Sequence, residues 1–194
     1  MKNTKKQITT QQLVLGAILT AIVVVLQLMG SFIKFGPFSI SLVLIPIVNG
    51  AATCGAAVGA WLGLMFGFVV LVSGDAAAFL SVNALGTIVT VLLKGTLCGY
   101  LAALTYKVLE KKNRLLAVLL SAMVCPLVNT GIFLLGCVVF FYDTIAVWAT
   151  QFGFGDDVVK YMFIGLAGGN FVVEFIVNIV VSPIIVRLLN IKKK

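Results

Sequence analysis

The chain has 194 residues, of which 61% are hydrophobic and only 10% are charged, and its formal net charge is +8. This composition excludes an ordinary soluble domain and indicates an integral membrane protein. The positive charge could suggest nucleic acid as a partner, but the cations lie at the ends of apolar segments, which is typical of membrane topology instead.

Six apolar segments predict an all-α integral membrane protein, a six-transmembrane-helix bundle that forms a single membrane domain over residues 1–194. The segments cover about 11–33, 39–54, 57–73, 84–107, 115–142 and 162–190. A helix needs about 20 residues to cross a bilayer core of about 30 Å. The second and third segments are short for this, so we expect one of them to be tilted, broken or interfacial.

The cations predict the orientation. They lie before the first segment (Lys2, Lys5, Lys6), between the fourth and fifth (Lys107, Lys111, Lys112, Arg114) and at the end of the chain (Arg187, Lys192, Lys193, Lys194). With six crossings all of these residues fall on one side of the membrane. By the positive-inside rule that side is cytoplasmic, so both termini should be cytoplasmic.

Small residues mark one face of each of three predicted helices. In the first segment Gly16, Ala17, Thr20 and Ala21 form a strip where another helix backbone could approach closely, either inside this protein or on a separate subunit. The third segment carries a glycine at every fourth position (Gly55, Gly59, Gly63, Gly67), and Gly95 and Gly99 repeat the spacing in the fourth. This pattern predicts tight helix–helix packing and says little about ligands.

Three prolines, Pro46, Pro126 and Pro183, lie inside the second, fifth and sixth segments. Because proline has no backbone N–H, each should free one helical carbonyl and kink its helix.

The outer links are candidate lids. They run over 35–41, 73–83 and about 142–161, and the last contains Trp148, Phe152, Phe154 and the Gly153-x-Gly155 step. Aromatic, glycine-containing loops beside a membrane-facing cavity can close over a ligand. The same residues would equally suit an aromatic belt at headgroup level.

Two ionisable residues, Lys94 and Glu174, stand inside the fourth and sixth segments. Such residues cost about 2.5–3.5 kcal/mol at the bilayer centre, so they should face the interior and have a partner. Both lie about ten residues from the outer end of their segments, which is on the order of 15 Å deep at 1.5 Å per residue. We therefore expect them to meet.

Asparagines extend this polar region. Asn170, Glu174 and Asn178 share one helix face, Asn129 lies midway along the fifth segment, and Asn49 and Asn83 could join the same cavity. We predict that these amides, with Lys94 and Glu174, bind a polar solute. The alternative is a structural ion pair with interhelical amide hydrogen bonds, each worth about 0.6 kcal/mol.

The sequence carries no catalytic constellation and predicts no enzyme, cofactor or metal site. Histidine is absent, which removes the commonest general base and metal ligand. The four cysteines, Cys54, Cys98, Cys125 and Cys137, have no metal-site spacing and should be buried apolar residues. Since no phosphate-binding loop is present, ATP-driven transport would need another chain.

As a whole the sequence resembles a substrate-binding S component of an energy-coupling factor (ECF) vitamin transporter. The resemblance rests on six segments in under 200 residues, Ala17-x-x-x-Ala21, the run KFGPFSISLVLIPIVNGA (34–51), the glycine-rich third segment and the basic link 107–114. It implies a bacterial cell membrane protein whose Ala17/Ala21 face docks on a transmembrane T component, driven by two cytoplasmic ATPases. It also implies that the outer links close over a vitamin, and that the chain topples in the membrane to release it.

The vitamin does not follow from the resemblance. A buried Lys94 suits an anion such as pantothenate, whose carboxylate would take the lysine over from Glu174. Riboflavin is the next candidate, and thiamin is disfavoured because we expect few aromatic residues in the cavity. Rival functions are a stand-alone proton-coupled secondary carrier for a small polar solute, and a structural membrane protein without a substrate.

Overall fold

The computed structural model describes residues 9–30, 34–35, 38–39 and 42–191. In this part of the chain the helices are α1 (Thr10–Gly30), α2 (Leu44–Cys54), α3 (Ala56–Val72), α4 (Ala77–Leu80), α5 (Ala84–Leu109), α6 (Arg114–Phe140), α7 (Tyr142–Gln151), α8 (Val158–Lys160) and α9 (Gly168–Ile191). A π-helical turn over Tyr161–Leu166 precedes α9, and β1 (Lys34–Phe35) pairs antiparallel with β2 (Phe38–Ser39). The prediction of an all-helical protein is confirmed apart from this two-residue strand pair.

Four helices are long and apolar enough to cross a membrane: α1, α5, α6 and the Gly168–Arg187 part of α9. They correspond to the first, fourth, fifth and sixth predicted segments. The helices of the second and third segments have only 11 and 17 residues, which at 1.5 Å per residue is about 17 and 26 Å. The sequence therefore located these helices, and the number of full crossings stays a prediction.

One residue, Gly55, separates α2 from α3. Its φ of +92° is a conformation that side chains disfavour, so glycine is required for the chain to break here and start a new helix at once. An added Cβ at this position would meet no atom within 4 Å. Gly55 was expected to pack with the other glycines of the third segment, and that expectation is wrong.

The remaining glycines of α3 do pack as the spacing predicts. A Cβ on Gly59, Gly63 or Gly67 would collide with backbone carbonyl oxygens of α5, and those on Gly95 and Gly99 would collide with α3 in return. Gly59 faces Gly99 and Gly63 faces Gly95, so the two helices run antiparallel in backbone contact. Close van der Waals contact of this kind is what holds helices together in lipid.

Pro126 explains a hydrogen bond between α6 and α9. Because proline lacks an N–H, the Ala122 carbonyl of α6 loses its helical donor. The Asn178 side chain of α9 donates to this oxygen at 2.9 Å, and the Ser182 hydroxyl donates to Asn178 at 2.8 Å.

Pro46 was expected to kink the second helix, but it is the third residue of α2. A backbone N–H at this position has no helical partner, so the proline needs no kink there.

The elements divide into a body and a cap. Buried residues of α1, α2, α3 and α5, such as Val23, Leu44, Ile47 and Leu62, form the main core. A second cluster joins α4, α7, α8 and the π-helical turn to the end of α6. The cap formed by this second cluster lies at the end of the bundle where α5 begins and α6 ends.

Candidate functional site

A cavity lies between the body and the cap. Its volume, measured as the space open to the centres of water-sized spheres, is about 120 Å³. One water needs about 10–15 Å³ on this measure, so the cavity has room for a small organic molecule. Its walls come from α1, α3, α5, α6, α9, the link 73–83, and the π-helical turn, together with Phe141 after α6 and Ala167 before α9. The lining residues are Gln27, Phe66, Val70, Asp75, Ala76, Phe79, Thr87, Thr90, Val91, Lys94, Asn129, Thr130, Phe133, Cys137, Phe141, Leu166, Ala167, Asn170, Phe171 and Glu174.

Lys94 is the only cation among these residues. Its ammonium nitrogen lies 5.2 Å from the ring centroid of Phe133 and 5.7 Å from that of Phe66. The carboxylates of Glu174 and Asp75 act on its charge electrostatically. An aromatic face attracts a cation most strongly where water is excluded, so these contacts offset part of the cost of removing the lysine charge from water.

Two polar atoms in the wall have no hydrogen-bond partner within the described chain: Asn129 Oδ1 and Thr90 Oγ1. Both residues are buried, with 7% and 5% of their surface exposed. A buried polar group without a partner costs about 1–3 kcal/mol, so native proteins leave such groups rarely and with a reason. Both residues line the cavity, but the two oxygens themselves are buried between the helices.

The structure brings four of the predicted binding residues together, since Lys94, Asn129, Asn170 and Glu174 all line the cavity. Their role in binding stays a prediction.

The other three lie elsewhere. Asn83 caps α5 by accepting from the Gly86 N–H at 2.9 Å. Asn49 donates to the Ile45 carbonyl at 2.7 Å, and Asn178 donates to α6 as described. None of the three lines the cavity, and Asn49 Oδ1 is buried without a hydrogen-bond partner among the described residues.

Sequence reasoning missed most of the apolar wall. We expected few aromatic residues, but the wall contains five phenylalanines: Phe66, Phe79, Phe133, Phe141 and Phe171. It also missed Gln27 and Asp75, which are joined by a hydrogen bond of 2.7 Å between α1 and the link 73–83. A signal for Thr90 was present, because Thr87, Thr90, Val91 and Lys94 recur at the spacing of one helix face.

Phe79 in α4 forms the roof of the cavity. Its ring meets those of Phe141, Trp148 and Phe133 edge-on, at centroid distances of 5.1, 5.4 and 5.7 Å. Each such pair is worth about 0.5–1.5 kcal/mol beyond the area it buries. The second and third outer links thus meet over the cavity, whereas most of the first, 35–41, lies outside the described residues.

Other aromatic residues of the third link lie beside the roof. Phe152 stacks on Tyr161 at 5.7 Å, and Phe154 contacts the same ring at 5.3 Å. Much of this link is helical (α7 and α8), with positive φ angles at Gly153 and Gly155 where it turns. Whether the link moves as a lid stays a prediction.

The small-residue strip of α1 faces two ways. Gly16 is buried against Val58 of α3, whereas Ala17 and Ala21 are exposed. Between them Thr20 donates to the Gly16 carbonyl at 2.8 Å and accepts from the Trp61 indole N–H at 3.2 Å. The exposed alanines leave a flat surface on the outside of the described structure.

One comparison with known proteins identifies a family. The family model of the ECF transporter substrate-specific component matches residues 11–189, nearly the whole chain. No curated protein and no solved structure matches the chain. Members of this family are binding subunits for transport. The chain therefore belongs to the ECF transporter substrate-specific components: it is an S component, and its apolar helices are those of a transmembrane protein.

Proposed function

We propose that this S component captures a water-soluble vitamin from outside the cell for ATP-driven uptake, together with a transmembrane T component and two cytoplasmic ATPases. The observation that carries the proposal is the cavity beneath Phe79. It combines the cation of Lys94 with the polar side chains of Asn129, Asn170 and Glu174 under an aromatic roof. A structural polar network satisfies its members by contact with one another, whereas here open space lies beside Lys94, Asn129 and Glu174.

Pantothenate is the favoured vitamin. Its carboxylate would pair with Lys94 in a charge-assisted hydrogen bond. It would then replace Glu174 and Asp75 as the negative group nearest to the lysine ammonium. Its aliphatic part would pack on the phenylalanines, and its amide and hydroxyl groups would meet the polar atoms of the wall.

Riboflavin is the second candidate because five phenylalanines could contact its ring system. A flat tricyclic ring is held best between near-parallel faces, however. In the roof, the plane of the Phe79 ring makes an angle of 86° with the Phe133 ring and of 76° with the Phe141 ring. These edge-on pairs provide no parallel-sided slot for a flat ring, which favours pantothenate over riboflavin.

We infer a multi-pass protein of the bacterial cell membrane with six crossings and cytoplasmic termini. The support is the basic link 107–114 between α5 and α6. In this orientation the roof of the cavity faces outward. The docking surface for the T component would be the exposed Ala17 and Ala21 on α1.

An uptake assay tests the proposal against its rivals. Proteoliposomes would contain this chain alone, or this chain with a T component and both ATPases, and radiolabelled pantothenate would be supplied outside. The proposal predicts accumulation only with the full assembly and internal ATP, unaffected by an uncoupler. Accumulation by the chain alone that collapses with the proton gradient would establish the secondary carrier instead.

A further inference from the structure

Gln27 and Asp75 connect the body of the protein to the segment that carries the roof. The Gln27 side-chain amide of α1 donates to the Asp75 carboxylate at 2.7 Å, across 48 residues of sequence. Gln27 is buried, with 2% of its surface exposed, and both residues line the cavity. A hydrogen bond to an ionised carboxylate is about twice as strong as one between neutral groups. This bond is therefore a strong connection between two separate parts of the chain.

The α1 end of this connection is fixed by packing. Gln27 shares the buried face of α1 with Gly16, Leu19 and Val23. Leu19 and Val23 belong to the main core, which also contains residues of α2, α3 and α5. Because protein interiors are close packed, a helix face inside the core has little freedom to shift. Gln27 thus holds Asp75 from a rigid support.

The Asp75 end lies in a short segment with mainly local bonds. Asp75 precedes Phe79 by four residues, and Phe79 is the one buried residue of α4, a helix of a single turn. The hydroxyls of Ser73 and Ser81 donate to carbonyls three residues earlier in the chain, so they do not hold the segment to the body. Besides the buried Ala76, the bond from Asp75 to α1 is what fastens this segment to the body.

We propose that Gln27 is a positioning residue that keeps the cavity closed: through Asp75 it holds the link 73–83, and with it Phe79, over the ligand. The hydrogen bond from Gln27 to Asp75 is the latch of the roof. When the latch breaks, the link moves away from α1 and a ligand enters or leaves past Phe79. The inference rests on the proposed function for its ligand and adds to it the residue that sets the rate of exchange.

A latch controls the rates of binding more than the affinity. Its bond joins two protein groups, so breaking it favours the open form of the free and of the loaded protein alike. Entry and release of the ligand then both accelerate, and Kd, which is the ratio of the two rates, changes little. A side chain that contacts the ligand directly behaves differently, because its loss raises the release rate and leaves the entry rate nearly unchanged.

The test compares Gln27→Leu with a matched control, Ser121→Ala. Ser121 donates to the Ala102 carbonyl at 2.8 Å, which is also a buried bond between two parts of the bundle, but it lies outside the cavity wall. Stopped-flow tryptophan quenching by pantothenate on detergent-purified protein measures entry and release. Gln27→Leu should raise both rates by about 10-fold or more and keep Kd within about threefold. Ser121→Ala should lower the melting temperature and leave both rates within about twofold.

A second measurement needs no ligand. Cys137 lines the cavity, whereas the other three cysteines are buried outside its wall. N-ethylmaleimide alkylates a thiol that it can reach, so its rate at Cys137, read by peptide mass spectrometry, reports how often the roof opens. Gln27→Leu should speed alkylation of Cys137 by about 10-fold or more and leave the other cysteines at their wild-type rates. Ser121→Ala should show no selective increase at Cys137.

A double-mutant cycle shows whether Gln27 and Asp75 act as a pair. Asp75→Leu removes the same bond as Gln27→Leu, so each single variant should speed alkylation of Cys137. The double variant should react no faster than the faster single variant, because the bond can be lost only once. Effects that multiply in the double variant would mean that the two residues act independently, which would overturn the latch.

Failure of the latch and failure of the proposed function look different. If the wild-type protein binds pantothenate and Gln27→Leu raises only the release rate, Gln27 is a ligand contact and the latch is refuted. Equal alkylation of Cys137 in the wild type and in Gln27→Leu refutes it as well. If the wild type binds none of pantothenate, riboflavin and thiamin, the proposed function fails, and the alkylation of Cys137 still decides the latch.

Discussion

Replacing Lys94 by methionine tests whether the charge in the cavity serves the ligand or only the fold. Methionine keeps the length and the apolar stem of lysine and removes the ammonium group. Two changes follow at once: the rings of Phe66 and Phe133 lose the cation that lies 5.7 and 5.2 Å from them, and Glu174 loses a neighbouring positive charge.

The expected effect on binding comes from the bond between the ammonium and a ligand carboxylate. A hydrogen bond to a charged group is worth about 1.5–3 kcal/mol net. Since 1.4 kcal/mol is a factor of ten, Lys94→Met should weaken pantothenate by about 10–150-fold. Pantothenol, in which an alcohol replaces the carboxylate, should lose less than about threefold.

The assay is a four-way comparison of two proteins and two ligands by calorimetry. The pair of ligands matters because a general loss of fold would weaken both equally, and the ratio isolates the charge. The wild type should prefer pantothenate over pantothenol by at least about tenfold, and the variant should show little preference. Equal losses for both ligands would refute the reasoning and make Lys94 a structural residue.

Three further predictions concern docking, packing and the roof. Ala17→Trp or Ala21→Trp should abolish uptake by the full assembly and leave ligand binding to the purified chain intact, because both alanines are exposed; loss of binding would place them in the core. Gly63→Ala should destabilise the protein by at least about 1–3 kcal/mol, because its Cβ would meet the backbone of α5. Gly131→Ala, which meets nothing within 4 Å, should be neutral or stabilising, and equal melting temperatures for the two variants would contradict the packing described here. Phe79→Ala should weaken vitamin binding and shift tryptophan emission to the red as Trp148 loses its ring contact, whereas unchanged emission and affinity would remove Phe79 from the roof.

Backbone packing was the most predictable part of the fold. A glycine at every fourth residue of an apolar helix is typical of close helix contact, so Gly59 and Gly63 indicated the packing against α5. Gly55 shares the spacing but ends α2 with a positive φ, a role that periodicity cannot distinguish from packing. The four long helices could be located because an apolar run long enough to cross the bilayer core is rare outside membrane-spanning helices.

The polar residues were harder to assign. Lys94 and Glu174 could be predicted to lie at the same depth, because the rise along a helix follows directly from residue number. Both residues do line the one cavity. Asn178 lies on the same stripe as Glu174, but its amide satisfies a carbonyl that Pro126 frees on another helix. Such a contact depends on how two helices pack, and a single sequence does not contain that information.

The aromatic wall could not be predicted for a related reason. Phenylalanine is so common in membrane helices that its presence does not tell lipid-facing from cavity-facing positions. Phe79 in particular comes from a short helix, α4, in a link that the sequence describes only as a loop. Its importance follows from three ring contacts that join separate parts of the chain.

The most direct test of the account is a binding screen on the detergent-purified chain with a panel of water-soluble vitamins, read by thermal shift and tryptophan quenching. Trp148 contacts the roof residue Phe79, so a ligand in the cavity should change its emission. The account predicts one vitamin that quenches in a saturable way, raises the melting temperature and loses affinity in Lys94→Met, with pantothenate the expected hit. A panel in which no vitamin stabilises or quenches the protein would contradict a vitamin-binding site in this cavity.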